Sequence, residues 1–239
     1  KTKGGGIGKI LFFAFLGRQK APFLCVKASS LECYNNLIES EFNNLSAARN
    51  SLPDDLKTTI PEPLELIHIN GHIVELEEFV PGRQAYPGMI FNDLEKVFNW
   101  LCQFHKANIV EKKTISKEFL SKVLSKYNSE EKKINNILEI WGDRSVEMPL
   151  IKQHGDFHFA NVFFQTETLK VIDWANYGKL ILPAYDLIFF LRRQKGGIKG
   201  NKKMIIDYFD YFSIPEEVLE PWVKVLGVIE QLEKCLRKK

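Results

Sequence analysis

Cysteine is scarce and scattered in this 239-residue chain: Cys25, Cys33, Cys102 and Cys235 lie far apart and form no C-x-x-C pair. With only five histidines, none at zinc-finger spacing, neither a disulfide framework nor a structural zinc site is expected. Free thiols of this kind fit a reducing cytoplasm. Long apolar runs are missing too, since stretches such as 11–16 and 187–191 are too short to cross a bilayer. Residues 1–16 have the basic-then-apolar order of a signal peptide, but Arg18-Gln19-Lys20 follows instead of a small-residue cleavage site. An excess of one charge is also absent. Lys+Arg number 33 against 30 Asp+Glu, a formal net charge of +3 without the clustered excess of a nucleic-acid binder. What is present is the composition of a globular protein, 45 % hydrophobic and 26 % charged, without repeats or low-complexity segments. The length suits one large domain or two small lobes.

The pattern changes along the chain. Residues 9–16 and 22–27 are short apolar runs separated by Gly17-Arg18-Gln19-Lys20-Ala21, which predicts a hairpin. Residues 30–45 carry apolar side chains at near-helical spacing. Residues 64–69 and 73–80 read as a second strand pair turned by Asn70-Gly71, and Pro81-Gly82 closes the section. Beyond it the spacing predicts helices over 91–105, capped by Asn92 or Asp93, and over 115–127 and 129–141. Ser213 with Glu216 reads as a capping box opening C-terminal helices that Pro221 would break in two. Residues 149–191 form an island with strand pattern and unusual polar residues. The expectation is an α+β chain of two lobes, a small β-rich lobe over 1–80 and a larger helical lobe over 81–239. Ligands of such chains favour the cleft between lobes.

Within the island, His154-Gly155-Asp156-Phe157-His158-Phe159-Ala160-Asn161 precedes Val162-Phe163-Phe164, a polar turn, and Leu169-Lys170-Val171-Ile172-Asp173-Trp174. Two apolar strands about a short turn make a hairpin. That hairpin brings Asn161, just before its first strand, toward Asp173 at the end of its second, with Asp156 five residues upstream of Asn161. Two carboxylates and an amide oxygen converging on one spot suit Mg²⁺, which takes few protein ligands and shares substrate phosphates. Phosphoryl transfer asks for this set: one carboxylate to accept the proton of an attacking hydroxyl, the others to hold the metal. A lone D-x-x-x-x-N could be only an Asx-rich turn. H-G-D-x-x-x-x-N with an apolar-apolar-Asp twelve residues after the Asn is far more specific.

The strings HGDFHFANVFF and VIDWANYGKLILPAYDL resemble the signature of the aminoglycoside phosphotransferase and choline kinase family, small-molecule kinases with a protein-kinase-like fold. The resemblance is sharpest over residues 154–191. It implies a bilobal protein-kinase-like fold, Asp156 as catalytic base, and Asn161 and Asp173 as Mg²⁺ ligands. Gly155 favours the small-molecule kinases over protein kinases, which generally carry Arg there. Asp186 matches an aspartate that braces the catalytic loop in this fold, and it reads equally well as a helix N-cap.

The N-terminal residues agree with that resemblance. Lys27 ends an apolar strand like the lysine that contacts the α- and β-phosphates in kinase-like folds. Glu41, fourteen residues on, would hold it by an ion pair, with Glu39 as competitor; Glu41 is followed by Leu45, as in the family's E-x-x-x-L. Gly6 and Gly8, in Gly4-Gly5-Gly6-Ile7-Gly8-Lys9, could fold over phosphates. The segment is no P-loop, and it departs from G-x-G-x-x-G because Lys9 takes the last position. Glu77-Glu78-Phe79-Val80-Pro81-Gly82 resembles the family's hinge, with adenine meeting the Glu77 C=O and the Phe79 N–H. His154 reads as a packed scaffold residue and His158 has no assigned role. His68, His72 and His105 read as structural, and Trp100, Trp141 and Trp222 as core.

The function these residues predict is transfer of the γ-phosphate of ATP, with Mg²⁺, to a hydroxyl of a small molecule. The alternatives are a kinase acting on a sugar of a cell-surface glycan or its precursor, and a nucleotide-binding pseudokinase with a regulatory role. After Asp186 the chain holds eleven Lys/Arg against seven Asp/Glu, which points to a neutral or anionic acceptor. Neither a nucleic-acid partner nor a membrane span is expected, and the compartment expected is the cytoplasm.

Overall fold

The computed structural model describes residues 8–166 and 168–236. Along the chain, strands β1 (Lys9–Ala14) and β2 (Leu24–Ser29) precede helices α1 (Asn35–Ser51) and α2 (Asp54–Lys57), then β3 (Pro63–Ile69), β4 (His72–Glu78) and β5 (Arg83–Gln84). Helix α3 (Phe91–Ala107), strand β6 (Ile109–Ile115), helices α4 (Lys117–Leu124) and α5 (Glu131–Trp141) and strand β7 (Val146–Ile151) follow. The hairpin of β8 (Val162–Phe164) and β9 (Leu169–Val171) leads to α6 (Tyr185–Leu191), α7 (Gly197–Gly200), α8 (Lys202–Tyr211) and α9 (Leu219–Leu236). Two compact units result, and neither is one continuous stretch. One takes the residues up to Tyr86 with His154–Leu180; the other takes Pro87–Gln153 with the residues from Ile181 on.

In the first unit an antiparallel sheet of order β1-β2-β4-β3 packs against α1. Asn70 and Gly71, at φ 49° and 82°, form the two-residue turn between β3 and β4 that the Asn-Gly pair predicts. Helix α1 starts five residues later than the periodicity suggests, after a 3-10 turn at Glu32–Tyr34, and buries Ile38, Glu41, Leu45 and Ala48 along one stripe. Glu41 is the one carboxylate on that stripe. The sheet shows the same inversion, because the buried positions alternating along β2 and β4 are Cys25, Lys27, Ser29, Ile73, Glu75 and Glu77. Charge therefore sits where a half-buried sheet ordinarily places aliphatic side chains. A second small sheet, β5-β8-β9, ties the β8–β9 hairpin to this unit through Arg83↔Phe164 and Gln84↔Phe163.

The second unit is helical apart from the β6–β7 pair. Helix α3 buries Leu94, Val97, Trp100, Leu101 and Phe104, with Trp100 stacked on Phe104 at 5.1 Å. Trp141 meets Trp222 edge-on at 5.3 Å, and Trp222 Nε1–H donates to the Pro183 carbonyl, so all three tryptophans lie in the core as expected.

Three expectations about element ends fail here, each for a local reason. Helix α3 begins at Phe91 as expected, but with Ile90 at its N-cap, so neither Asn92 nor Asp93 caps it; both lie in its first turn. Ser213 takes a left-handed φ of 53° and donates its N–H to Asp210, so it closes α8 instead of opening the next helix. Pro221 is the third residue of α9 and does not break it, because the first turn's N–H groups have no intrahelical partner to lose. Strand β6 escaped the periodicity because Ile109 to Thr114 are all exposed and only pairing with β7 defines them. Among the described residues, no helix is long and apolar enough to cross a membrane.

The proline assignment can be checked directly. Pro221→Ala should change the unfolding free energy, read by denaturant titration, by no more than about 1 kcal/mol, against the roughly 3 kcal/mol that an interior helical proline costs. A large stabilisation would mean that Pro221 does strain the helix.

Candidate active site

Lys27 is the centre of a buried charge cluster. Its Nζ lies 2.6 Å from Glu41 Oε1, 2.8 Å from Glu77 Oε2 and 3.4 Å from Glu75 Oε1. Glu41 thus holds the lysine, whereas Glu39 is exposed on the opposite side of α1. Burial works against the ammonium, but the three carboxylates outweigh it and hold Lys27 well above its usual value. Burial pushes Glu75 up to about 8, with Glu77 and Glu41 adding to the shift and Lys27 opposing it. Glu75 Oε2 has no hydrogen-bond partner among the described residues, and such an orphaned buried oxygen costs less on a neutral carboxyl than on a carboxylate. A second ammonium joins the cluster: Lys9 Nζ is 2.5 Å from Glu41 Oε2 and 4.0 Å from Asp173 Oδ1. Burial opposes its charge as well, but Glu41 and Asp173 hold it above its ordinary value.

The segment around Asp156 is organised by histidines. His154 is fully buried; its Nδ1 accepts the Asp156 N–H at 3.3 Å and its Nε2–H donates to the Ile172 carbonyl at 3.0 Å. It therefore ties the Asp156 loop to the end of β9, the scaffold role expected of it. His158 gains a role that sequence reasoning did not find. Its Nδ1 accepts the Ala160 N–H and its carbonyl accepts the Asn161 N–H at 2.9 Å, which caps the short 3-10 turn carrying Asn161. His158 Nε2 also lies 3.9 Å from Asp156 Oδ2. Asn161 Nδ2–H donates to the Asp156 carbonyl at 3.1 Å, which fixes the amide and leaves Oδ1 as the end without a partner among the described residues. Asp173 sits at φ 66°, a left-handed conformation that a non-glycine residue keeps only where the surroundings demand it. Gly155 has a physical reason of its own: at φ 82°, a Cβ would lie 2.6 Å from the Asn176 carbonyl oxygen.

These residues meet around a cavity of about 490 Å³ inside the first unit. Lys9, Lys27, Glu41, Asn161 and Asp173 form its charged end. Phe13, Cys25, Phe79, Val80 and Phe163 line much of the rest, beside Glu77, Glu78 and Gln84, and burial pushes the Cys25 thiol up to about 12, so it acts as an apolar wall. Asp156 does not line the cavity and stands one hydrogen bond from Asn161, which does. The donor set fits a magnesium ion. Among the described residues no three His, Cys, Asp or Glu side chains cluster as a closed metal site. One carboxylate and one amide oxygen beside a charged cavity are what a metal shared with phosphates needs.

In the segment expected to form the hinge, the Phe79 N–H already has a partner. The Phe79 N–H donates to the Phe23 carbonyl at 3.4 Å, and Glu77 sits inside the β2–β4–β3 ladder with its side chain on Lys27. Glu62 N–H goes to the Glu78 carboxylate at 3.3 Å instead of its carbonyl, and among the described residues Val80 N–H has no backbone partner. Of the two glycines, Gly8 takes φ 109° against the Tyr34 ring, and Gly6 lies outside the described residues. Asp186 belongs to the second unit, fully buried with its N–H on Gln153 Oε1 and its carboxylate 3.4 Å from His105, which also bonds Tyr208. Lys9 and Glu75 were missed in the sequence, although both stand at strand positions where alternation calls for apolar residues.

Two substitutions probe this geometry. Gly155→Ala should cost about 2 kcal/mol or more of stability, measured by denaturant unfolding, because it combines a left-handed backbone with a close contact. Glu75 binds its proton more tightly folded than unfolded, so its stabilising contribution is complete below the ordinary carboxylate value and is lost as pH rises toward about 8. Glu75→Gln should therefore match wild type in Tm near about pH 5 and exceed it increasingly up to about pH 9. A gap that stays constant with pH would place an ionised carboxylate there.

The family profile described as the phosphotransferase enzyme family matches residues 24–222. No curated relative matches the chain by sequence. Among solved structures, the chain is similar to aminoglycoside phosphotransferase APH(3'')-Id from Streptomyces rimosus in complex with ADP and streptomycin. That likeness has a TM-score of 0.57 and 14 % identity, over 94 % of this chain and 93 % of the other. It is also similar to macrolide 2'-phosphotransferase MphH from Brachybacterium faecium, with a TM-score of 0.59 and 13 % identity over 94 % and 79 %. At such identities the likeness speaks for the fold, the one expected from the island motif. The profile match spans most of the sequence, and the chain belongs to the phosphotransferase enzyme family.

Proposed function

We propose that this protein transfers the γ-phosphate of ATP to a hydroxyl of a small molecule, with Asp156 as base and Mg²⁺ held by Asn161 and Asp173. The observation that carries the reading is the polarity of the cavity. It runs from an apolar end at Phe13, Cys25, Phe79 and Val80 to a charged end at Lys9, Lys27, Asn161 and Asp173. A nucleotide has the same polarity, base at one end and phosphates at the other. Lys27, held by Glu41, would contact the phosphates, while Asn161 and Asp173 would share the metal with them. Bound magnesium would supply charge neutralisation for the transferring phosphoryl group. Solved phosphotransferases of similar fold carry ADP with streptomycin or AMP-PNP with Ca²⁺, which agrees with a nucleotide in this cavity.

The base would meet the Glu78 C=O and the Val80 N–H, one register beyond Glu77 and Phe79. Residues two apart on a strand point the same way, so the ladder that takes the Phe79 N–H leaves its neighbours on the other edge. Asp156, whose backbone carbonyl accepts from the Asn161 amide, would orient the acceptor hydroxyl. The excess of Lys/Arg over Asp/Glu after Asp186, eleven against seven, favours a neutral or anionic acceptor over a polycationic one.

Asp156→Asn keeps shape and hydrogen bonding but cannot take a proton. Turnover, followed as ADP release with a responsive acceptor, should fall by about 10²–10⁴ while ATP affinity stays within about twofold. Retained turnover would remove Asp156 from the chemistry. Asp173→Ala should weaken the Mg²⁺-dependent part of ATP affinity and leave metal-free nucleotide binding nearly unchanged, as read by calorimetry. Equal Mg²⁺-dependent affinity in both proteins would remove Asp173 from the metal site.

A further inference from the structure

We propose that Lys9 is a second phosphate-binding residue, contacting the terminal phosphate opposite Lys27 and bridging Glu41 and Asp173 when no nucleotide is bound. This rests on the reading of the cavity as a nucleotide site and adds to it a cation outside the family motifs.

Register places Lys9 there. β1 runs antiparallel to β2 with Leu11 opposite Lys27 and Lys9 opposite Ser29, so Lys9 lies two residues beyond Lys27. Strand alternation puts Lys9, Leu11 and Phe13 on one face, and all three line the cavity. They follow its polarity, with Phe13 edge-on against Phe79 at 5.6 Å, Leu11 opposite Lys27, and Lys9 beside Asp173. The backbone under Lys9 is fixed. The Gly8 carbonyl accepts the Ser30 N–H at 2.9 Å, and Gly8 at φ 109° approaches the Tyr34 ring too closely for any side chain.

Charge explains why one lysine is not enough. Lys27 already faces the carboxylates of Glu41 and Glu77, and Asp173 adds a third at the same end. A single ammonium among three carboxylates would repel a triphosphate; two ammoniums, with the metal, reverse that balance. Glu41 gives one oxygen to each lysine, Oε1 to Lys27 at 2.6 Å and Oε2 to Lys9 at 2.5 Å, so one carboxylate sets the position of both. The Lys9 side chain is a quarter exposed where that of Lys27 is almost fully buried, which makes Lys9 the cation with room to move. Its 4.0 Å approach to Asp173 is a loose contact, easily exchanged for a phosphate oxygen.

The test compares calorimetric affinities for ADP and AMP-PNP, both with Mg²⁺, in wild type, Lys9→Met, Lys9→Arg and Lys27→Met. Losing a charge-assisted contact to the terminal phosphate should weaken AMP-PNP about tenfold in Lys9→Met and ADP less than about threefold. Lys9→Arg should recover most of the loss, and Lys27→Met should weaken both nucleotides. Should Lys9→Met fail to fold by circular dichroism, Lys9→Gln carries the same comparison. Unchanged AMP-PNP affinity in Lys9→Met, or equal losses for ADP and AMP-PNP, overturns the assignment while leaving the nucleotide site standing. A wild type that binds neither nucleotide overturns both.

Discussion

Burying an ammonium is costly unless carboxylates meet it at hydrogen-bond distance, and the first unit is organised around one such meeting, Lys27 with Glu41. Glu41 stands on the stripe of α1 that otherwise carries Ile38, Leu45 and Ala48, so docking α1 on the sheet and forming the ion pair are one event. Breaking the pair would leave Lys27 to Glu77 and Glu75, and Glu41 to Lys9, in a layer largely closed to water. The same carboxylate reaches Lys9 on β1, which links the edge strand to the helix across β2. Helix, strands and the charged end of the cavity therefore share a single constraint.

The second half of the site depends on a different device. Asp156, Asn161 and Asp173 come from a loop, a 3-10 turn and a strand end, and main-chain groups of Asp156, Asn161 and Ile172, the residue before Asp173, anchor them. His154 binds the Asp156 N–H on one nitrogen and the Ile172 carbonyl on the other. His158 caps the turn of Asn161, and Asn161 reaches back to the Asp156 carbonyl. The left-handed φ of Asp173 is the strain that this bracing sustains. In the proposed reaction a set fixed in this way would need little rearrangement to receive a metal and phosphates, and preorganisation of that kind is what phosphoryl transfer asks of a protein.

Much of this was legible because the motif residues are chemically improbable where they stand. Asp156 and Asn161 precede, and Asp173 follows, two short apolar strands at a spacing that a hairpin closes, and the Asn70-Gly71 turn and the apolar stripe of α3 follow from local rules. Lys9, Glu75 and the partner of the Phe79 N–H were hidden for the opposite reason. Lys9 reads as a faulty last position of a glycine motif, and Glu75 as one of several glutamates in Glu75-Leu76-Glu77-Glu78. Their meaning lies in partners 32 and 48 residues away, to which local pattern is blind. Strand β6 was invisible for a related reason, since a strand exposed along nearly its whole length carries no alternation to read.

By itself the sequence determined the local chemistry: which segments extend or coil, where turns fall, and which polar residues stand at positions that apolar ones should hold. Those follow from backbone preferences and side-chain periodicity, which act over a few residues. Only the tertiary structure decided which carboxylates share Lys27, that Glu41 binds two ammoniums, and that Phe79 N–H belongs to the ladder while Val80 N–H has no backbone partner among the described residues. It also decided that Pro221 and Ser213 sit at helix ends where their irregularity costs little. Pairing register and burial set those outcomes. Both arise from contacts between segments distant in the chain, where a one-residue slip moves every side chain to the other face.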